Sequence, residues 1–361
     1  KNTIESALDE VPTSIDVVLC TGGLGPTHDD ITSSVLYDYF GAKPEFDEQY
    51  WQLLTKKFAA RDQVIPDINR NQAMKPDIGE VIPNPIGSAR GLHLSNKSYH
   101  LFAMPGVPAE MKSMMTDTIL PWIESRSKSK IHVTVMRTTG IMESVLYEKV
   151  QGILDDYPQI NVAFLPRFTG VDIRLTTSDK NTLNRLVDQI SPVIQKYHFG
   201  GEGVELEDVV GRLLIKNRKT IATAESCTGG LIGDRLTNIS GSSLYYKGGI
   251  VAYSNSVKEK TIGVKKETLD SAGSVSEETA LEMARGIRNK LNADIGLSTT
   301  GIAGPKGGTK EKPVGLVYIA ISYDSGEKVY RFTFTPYRKT NKLMTSQAAL
   351  NITRIHILNG L

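Results

Sequence analysis

Cysteine is scarce: only Cys20 and Cys227 occur in 361 residues, which argues against both a disulfide scaffold and a thiolate zinc cluster. Each sits in a Gly-rich apolar segment, so a reducing cytoplasm is the expected setting. Long hydrophobic runs are missing as well. None approaches the roughly 20 residues that a spanning helix needs, no signal peptide is visible, and no membrane partner is expected. Charge of one sign is also lacking. The 42 basic and 40 acidic side chains leave a net charge of +2, which provides no broad field for a nucleic acid, so any anion site must be local. Histidine is absent from the whole segment between Ser226 and Arg338, and a histidine triad there is excluded.

What is present is an ordinary globular composition, 40% hydrophobic and 23% charged, in a chain long enough for two or three domains. Ile15 to Leu19 reads as a buried strand running into Gly22, Gly23 and Gly25, with a polar helix start at Thr27 to Asp30. Glu48 to Ala60 and Pro108 to Ile123 read as helices and Tyr99 to Met104 as a strand. The pattern predicts an α/β fold with a mostly parallel sheet. Ser125 to Lys130 (SRSKSK) reads as a linker. A compact module follows, with strands near 132–138 and 171–176 and helices near 143–155 and 180–197. A third region opens with helix 206–217 and strand 220–224, continues through a long run of helices, and closes with strands near 294–299, 315–323 and 328–335. The expected domains are 1–125, 131–203 and 204–361.

In Thr21 to Asp30 (TGGLGPTHDD) the glycines let a ligand approach the main chain, and the amides at a helix start suit a phosphate. Asp29 and Asp30 either cap the helix or hold a divalent cation that bridges phosphates. Together with Asn69-Arg70-Asn71-Gln72-Ala73, Pro83 to Gly87 (PNPIG) and Met104 to Met111 (MPGVPAEM), this loop resembles the N-terminal half of the CinA (competence/damage-inducible) family. The resemblance implies a molybdopterin-binding-like fold. It also implies a metal-dependent ADP-ribose pyrophosphatase, its site comprising Gly22, Gly23, Gly25, Asp30, Asn69, Arg70 and Glu110. Asp30 would be the metal ligand and the cofactor a divalent metal (Mg, Mn or Co), with or without K. The family begins upstream with a strand and a GDE-type motif that supplies part of the site, and the 1–125 domain is expected to lack that first strand. Residues Gly140 to Ser144, Pro166 and Arg174 resemble the family's small KH-like insert. Its nearest GXXG candidate, Gly140-Ile141-Met142-Glu143, carries an acid where a nucleic-acid loop is basic. A spacer or dimerisation role is expected of it.

The third region is dense in hydroxyls and glycines: Ala222 to Gly230 (ATAESCTGG), Gly241-Ser242-Ser243, Tyr253 to Lys258 (YSNSVK) and Thr299 to Pro305 (TTGIAGP). Such turns suit an anion or a carbonyl oxygen. Without histidine, a serine hydrolase can use a lysine whose ammonium pKa is lowered by burial, and Lys258 is the candidate. Ser226, whose alternative is a helix cap, and Thr300, whose alternative is a turn hydroxyl, are candidates for holding an oxyanion. The region resembles the CinA C-terminal domain, which also occurs free-standing as a nicotinamide mononucleotide deamidase. That resemblance implies Ser243 as nucleophile, Lys258 as base and Tyr253 as proton relay, with no cofactor. Ser226 is the rival nucleophile and Cys227 a third. Thr228, Gly229, Gly301 and Arg338 complete the substrate-binding set, Arg338 standing where the family has a GDR motif and Lys342 where arginine is common. Expected partners are nicotinamide mononucleotide, ADP-ribose and a second copy of the chain. The competing readings are a pyrophosphatase with a C-terminal binding module and a non-catalytic adaptor for DNA uptake or repair.

Overall fold

The computed structural model describes residues 1–127 and 130–360, in two compact units, Lys1–Lys130 and Ile131–Leu361. Of the SRSKSK segment, Lys128 and Ser129 lie outside the described residues.

The first unit contains β1 (Val17–Thr21), β2 (Pro44–Phe46), β3 (Met74–Pro76), β4 (Glu80–Ile82), β5 (Gly91–Ser95) and β6 (His100–Met104). Its main sheet has the order β1-β6-β5-β4, and β2 and β3 form a separate ribbon. Only β1 and β6 pair in parallel; β6, β5 and β4 run antiparallel. The expectation of a mostly parallel sheet is therefore corrected here. The links between β4, β5 and β6 are too short for the crossover that a parallel pair requires. Asn96 closes the second link, its Oδ1 accepting the amides of Ser98 and Tyr99 at 2.8 and 2.9 Å. The helix opened by Pro108 continues through a π turn at Met115–Ile119 to Arg126.

The second unit holds two sheets. The first comprises β7 (His132–Thr138), β8 (Asn161–Arg167), β9 (Gly170–Thr177) and β10 (His198–Gly200), in the order β10-β7-β9-β8 and wholly antiparallel. Helices Glu143–Leu154 and Lys180–Ile194 bury Leu146, Val150, Leu186 and Ile190 against Met136 and Ile173 of this sheet. Strand β8 escapes pattern reading because Pro166 interrupts it. As an edge strand it tolerates a residue that cannot donate to the ladder.

The second sheet comprises β11 (Ile221–Glu225), β12 (Tyr246–Val251), β13 (Ile295–Gly301), β14 (Leu316–Tyr323) and β15 (Gly326–Thr333), in the order β12-β11-β13-β14-β15. β12, β11 and β13 are parallel, and β14 and β15 return antiparallel. β12 lies inside what the sequence presents as a run of helices, its strand character masked by Gly248 and Gly249. Every residue of β11 is buried, as befits a strand covered on both faces. Ile221 packs with Leu214 and Leu350, whereas its neighbour Ala222 packs with Met283 and Ile287. Alternation along the strand thus sets helices Leu206–Lys216 and Arg338–Leu358 on one face and Glu277–Lys290 on the other.

Both sheets belong to one unit because charged and polar groups tie them. The Arg137 guanidinium bonds Glu205 at 2.8 Å and the carbonyl of Val204. Gln347 Nε2 donates to Thr139 Oγ1 at 3.2 Å, and Arg354 donates to the carbonyls of His198 and Lys196. The loop Gly140–Glu143 lines a cleft against helix Arg338–Leu358.

Candidate active site

Three segments far apart in the chain meet at the end of β11. Ser226 is the first residue beyond that strand, its amide held by the Thr299 carbonyl of β13 at 2.9 Å. Lys258 lies on helix Asn255–Ile262, which Ser254 caps by accepting the Val257 amide. This places Lys258 Nζ 3.1 Å from Ser226 Oγ, 2.7 Å from the Ala252 carbonyl and 3.3 Å from the Tyr253 carbonyl. Lys258 is only 1% exposed. Burial pushes its ammonium below the usual lysine range of about 10.5. Nζ donates to all three oxygens; on loss of one proton, the two carbonyls would retain the remaining N–H groups and the lone pair would be free to accept from the Ser226 hydroxyl.

Ser226, Tyr253, Lys258, Thr300, Gly301 and Arg338 line one cavity of about 230 Å³ together with Ser274 and Lys306. Ser243 does not. It sits exposed on a short 3-10 turn, Ser242–Leu244. Assigning Ser243 as the partner of Lys258 is therefore corrected: the serine at the lysine is Ser226. The GSS and YSNSVK motifs lie at opposite ends of β12, so the serine assigned from the family resemblance stands away from the lysine. Cys227 is also set aside as nucleophile. Its thiol is buried and pushed up to about 12 by that burial.

The remaining predicted residues divide. Thr228 Oγ1 is turned inward to Thr299 Oγ1 at 2.8 Å and does not face the cavity. Thr300 Oγ1 donates its one proton to the Ser274 carbonyl at 2.5 Å, so it has no proton left for an oxyanion. Gly229 adopts φ +61°, and a Cβ there would stand 3.3 Å from Lys342 Nζ. Gly301 has no room for a side chain beside the Leu316 carbonyl. Arg338 donates to the Gly304 carbonyl at 3.0 Å and to the Tyr253 hydroxyl at 2.7 Å. Tyr253 is 61% exposed, and its hydroxyl accepts from Arg338.

Sequence reasoning missed Glu225. Its buried carboxylate accepts the amides of Gly230 and Ile232 at Oε2, 2.9 and 3.1 Å, and of Gly233 at Oε1, 2.8 Å. The amides at the start of helix Leu231–Thr237, read from sequence as suited to an anion, are therefore engaged from within. Lys306 was missed too, being one lysine among several in a polar loop.

In the first unit the predicted loop residues join separate local networks. Gly22 and Gly23 take φ of +97° and +69°, and Gly22 donates to the Met104 carbonyl at 2.8 Å. Asp30 Oδ2 accepts Thr27 N and Oγ1 at 3.0 and 2.6 Å. These bonds close the loop over Gly25 and hold the Asp30 carboxyl below the usual carboxylate range. The following helix begins at Thr32, with Ile31 at its cap and no side-chain bond. The reading of Asp30 as a helix cap, and of a helix start at Thr27, is thereby corrected. Asn69 Nδ2 donates to Gln72 Oε1 at 2.9 Å, and the Arg70 guanidinium lies over the rings of Phe46 and Trp51 at 4.5 and 5.3 Å. Glu110 Oε2 accepts from Asn84 Nδ2 at 2.6 Å, pinning the Pro83–Gly87 loop. Among the described residues no group of three or more His, Cys, Asp or Glu side chains could hold a metal. Asp30 by itself does not fit a protein-held cation, and any metal there would draw its other ligands from substrate phosphate and water.

A mixed α/β first unit, a small antiparallel α/β module and a three-layer domain with a buried Ser-Lys pair define a multidomain α/β architecture. Residues 1–125 match the family profile described as a probable molybdopterin binding domain, 133–200 the damage-inducible protein CinA KH domain and 204–357 the CinA C-terminal domain. A CinA-like protein of Chloroherpeton thalassium is 42% identical over 99% of this chain and 88% of its own length. A CinA-like protein of Chlorobium limicola is 39% identical over 97% and 85%. The chain belongs to the CinA family. The crystal structure of the competence/damage inducible protein CihA from Agrobacterium tumefaciens is 38% identical, covers 43% of this chain and 96% of its own, and gives a TM-score of 0.41.

Proposed function

We propose that this protein hydrolyses the carboxamide of nicotinamide mononucleotide to the carboxylate, releasing ammonia, with Ser226 as nucleophile and Lys258 as general base. The observation that carries the reading is the 3.1 Å contact between Lys258 Nζ and Ser226 Oγ at a nearly solvent-free position. Ser226 Oγ attacks the amide carbon while Lys258 Nζ takes its proton. The tetrahedral oxyanion falls to amides between Ser226 and Gly230, since the Ser226 and Gly230 amides themselves are bonded to Thr299 and Glu225. Lys258 returns the proton to the leaving nitrogen, ammonia departs, and an ester to Ser226 remains. Water, deprotonated by Lys258, hydrolyses that ester and regenerates the hydroxyl.

An anionic substrate is supported by the cations. Lys306 and Arg338 line the cavity, Lys342 stands beside Gly229, and no Asp or Glu is among the cavity's lining residues. The choice of a pyridine nucleotide rests on the resemblance of the third region to nicotinamide mononucleotide deamidases.

The test is incubation with nicotinamide mononucleotide in the presence of a chelator, with ammonia and the carboxylate product measured. Ser226→Ala should abolish both products and Ser243→Ala should spare them. Absence of ammonia from the native protein, or full activity in Ser226→Ala, overturns the proposal. ADP-ribose, with and without a divalent metal, provides a separate readout of the first unit.

A further inference from the structure

The turn that carries Ser226 is closed by a side chain from the strand before it. β11 ends at Glu225, the chain reverses through two left-handed glycines, Gly229 and Gly230 at φ +61° and +93°, and helix Leu231–Thr237 begins. Gly230 occupies the cap position and has no side chain with which to satisfy the first helical amides. Glu225 does this instead. Its two oxygens collect the amides of Gly230, Ile232 and Gly233, so the residue before the turn is bonded to the turn's last residue and to two residues of the helix. Glu225 is 1% exposed. A buried carboxylate is costly unless its oxygens are satisfied, and here three N–H donors satisfy them.

We infer that Glu225 is a positioning residue for the Ser226 nucleophile: it staples the Ser226–Gly230 turn and so fixes where Oγ stands relative to Lys258. The Ser226 amide is fixed by Thr299 and Lys258 Nζ by two carbonyls, so the pair depends on the path of the turn between Ser226 and the helix. Two flexible glycines would leave that path loose without the staple. The carboxylate also occupies the donors that an incoming anion would otherwise use, leaving substrate charge to Lys306, Arg338 and Lys342. Gly233 is part of the same arrangement, because a side chain there would collide with the Tyr246 hydroxyl.

The inference rests on Ser226 being the nucleophile, and the experiment separates the two. Glu225→Gln keeps the shape but turns an NH2 group toward one of the three amides. Glu225→Asp keeps the charge but is one methylene short. For each variant of the full chain, the rate of Ser226 labelling by a fluorophosphonate probe is measured, with kcat, KM and the pH profile for nicotinamide mononucleotide.

The expected result is a fall of about 10–100-fold in both labelling rate and kcat, the cost of a misplaced nucleophile. KM and the rising pH limb set by Lys258 should be unchanged, and neither is what general loss of fold would give. Native labelling rates in folded Gln and Asp variants overturn the inference. Glu225-dependent labelling without any deamidation overturns the substrate reading alone. Amide exchange of Gly230, Ile232 and Gly233 in the native protein keeps the question open to refutation if the variants do not fold: slow exchange is expected, and exchange at the rate of exposed amides overturns the staple.

Discussion

Lys258 Nζ lies 3.1 Å from Ser226 Oγ across a separation of 32 residues. The parallel pairing of β11 with β12 creates this contact. It brings the end of one strand beside the start of helix Asn255–Ile262, and Lys258 reaches back from the helix's second turn.

Loss of either partner should remove catalysis. Ser226→Ala or Lys258→Ala is expected to lower kcat by roughly 10³-fold or more, the scale for members of a catalytic pair. Ser243→Ala, on an exposed turn, should stay within about twofold. Steady-state ammonia release checks all three.

Activity should rise with pH. The base works as the neutral amine, and burial lowers the Lys258 pKa in the folded chain below the model-peptide value of 10.5. The rate therefore climbs through an inflection below that value and levels off above it. The same shift makes Lys258 a burden on stability at pH below the folded pKa, where a buried charge must be carried, and stability recovers as pH rises toward 10.5. A log kcat/KM profile in native protein, with no such limb in Lys258→Met, is the measurement.

Arg338 should bind the anionic end of the substrate. Arg338→Ala is expected to raise KM for nicotinamide mononucleotide by about 10–100-fold, the worth of a charge-assisted hydrogen bond. For nicotinamide riboside, which lacks the phosphate, the same change should be small. Tyr253→Phe, which removes a partner of Arg338, should produce a weaker version of the same pattern.

Glu207 should matter for stability without touching the cavity. Its carboxylate pairs with the buried Arg235 at 2.6 Å, and Arg235 also bonds Ser346 and Gln347. Glu207→Ala strands a buried guanidinium and should cost about 3–5 kcal/mol. Urea unfolding of the second unit's signal checks this.

Acid should weaken the first unit through His93. Burial pushes its pKa below 6.5, Glu80 opposes the shift, and His100 and Arg126 reinforce it. The unfolded chain therefore binds a proton that the folded one refuses. Stability is full above pH of about 6.5 and declines as pH falls from there to the folded pKa. His93 and His100 lie against Trp122, with ring centroids 5.1 and 4.6 Å away. Trp122 fluorescence in a Trp51→Phe background should report a lower urea midpoint at pH about 5 than at about 7.5.

Period and punctuation made most elements legible. Helix Glu48–Ala59 and strand His100–Met104 lie within a residue of where apolar spacing puts them, and helix Leu206–Lys216 does too. β8 and β12 were illegible because Pro166 and the Gly248-Gly249 pair remove the alternation and β-branched density by which a strand is read. Their strand character comes from neighbours in the sheet. The sense of the first unit's sheet was missed for a similar reason: strand and helix alternation does not say which strands pair.

Sequence by itself determined the chemistry available: no histidine in the third region, a dense set of hydroxyl and glycine turns, and Lys258 in a polar motif. It also carried the family's three segments. Only the tertiary structure decided which serine meets that lysine, since Ser226 and Ser243 both lie in plausible turns and differ only in which end of a strand they occupy. Burial of Lys258, the commitment of the Thr300 proton to Ser274 and the closure of the Ser226 turn by Glu225 are likewise properties of packing. Each depends on atoms brought within about 3 Å by sheet pairing, a distance no local pattern encodes.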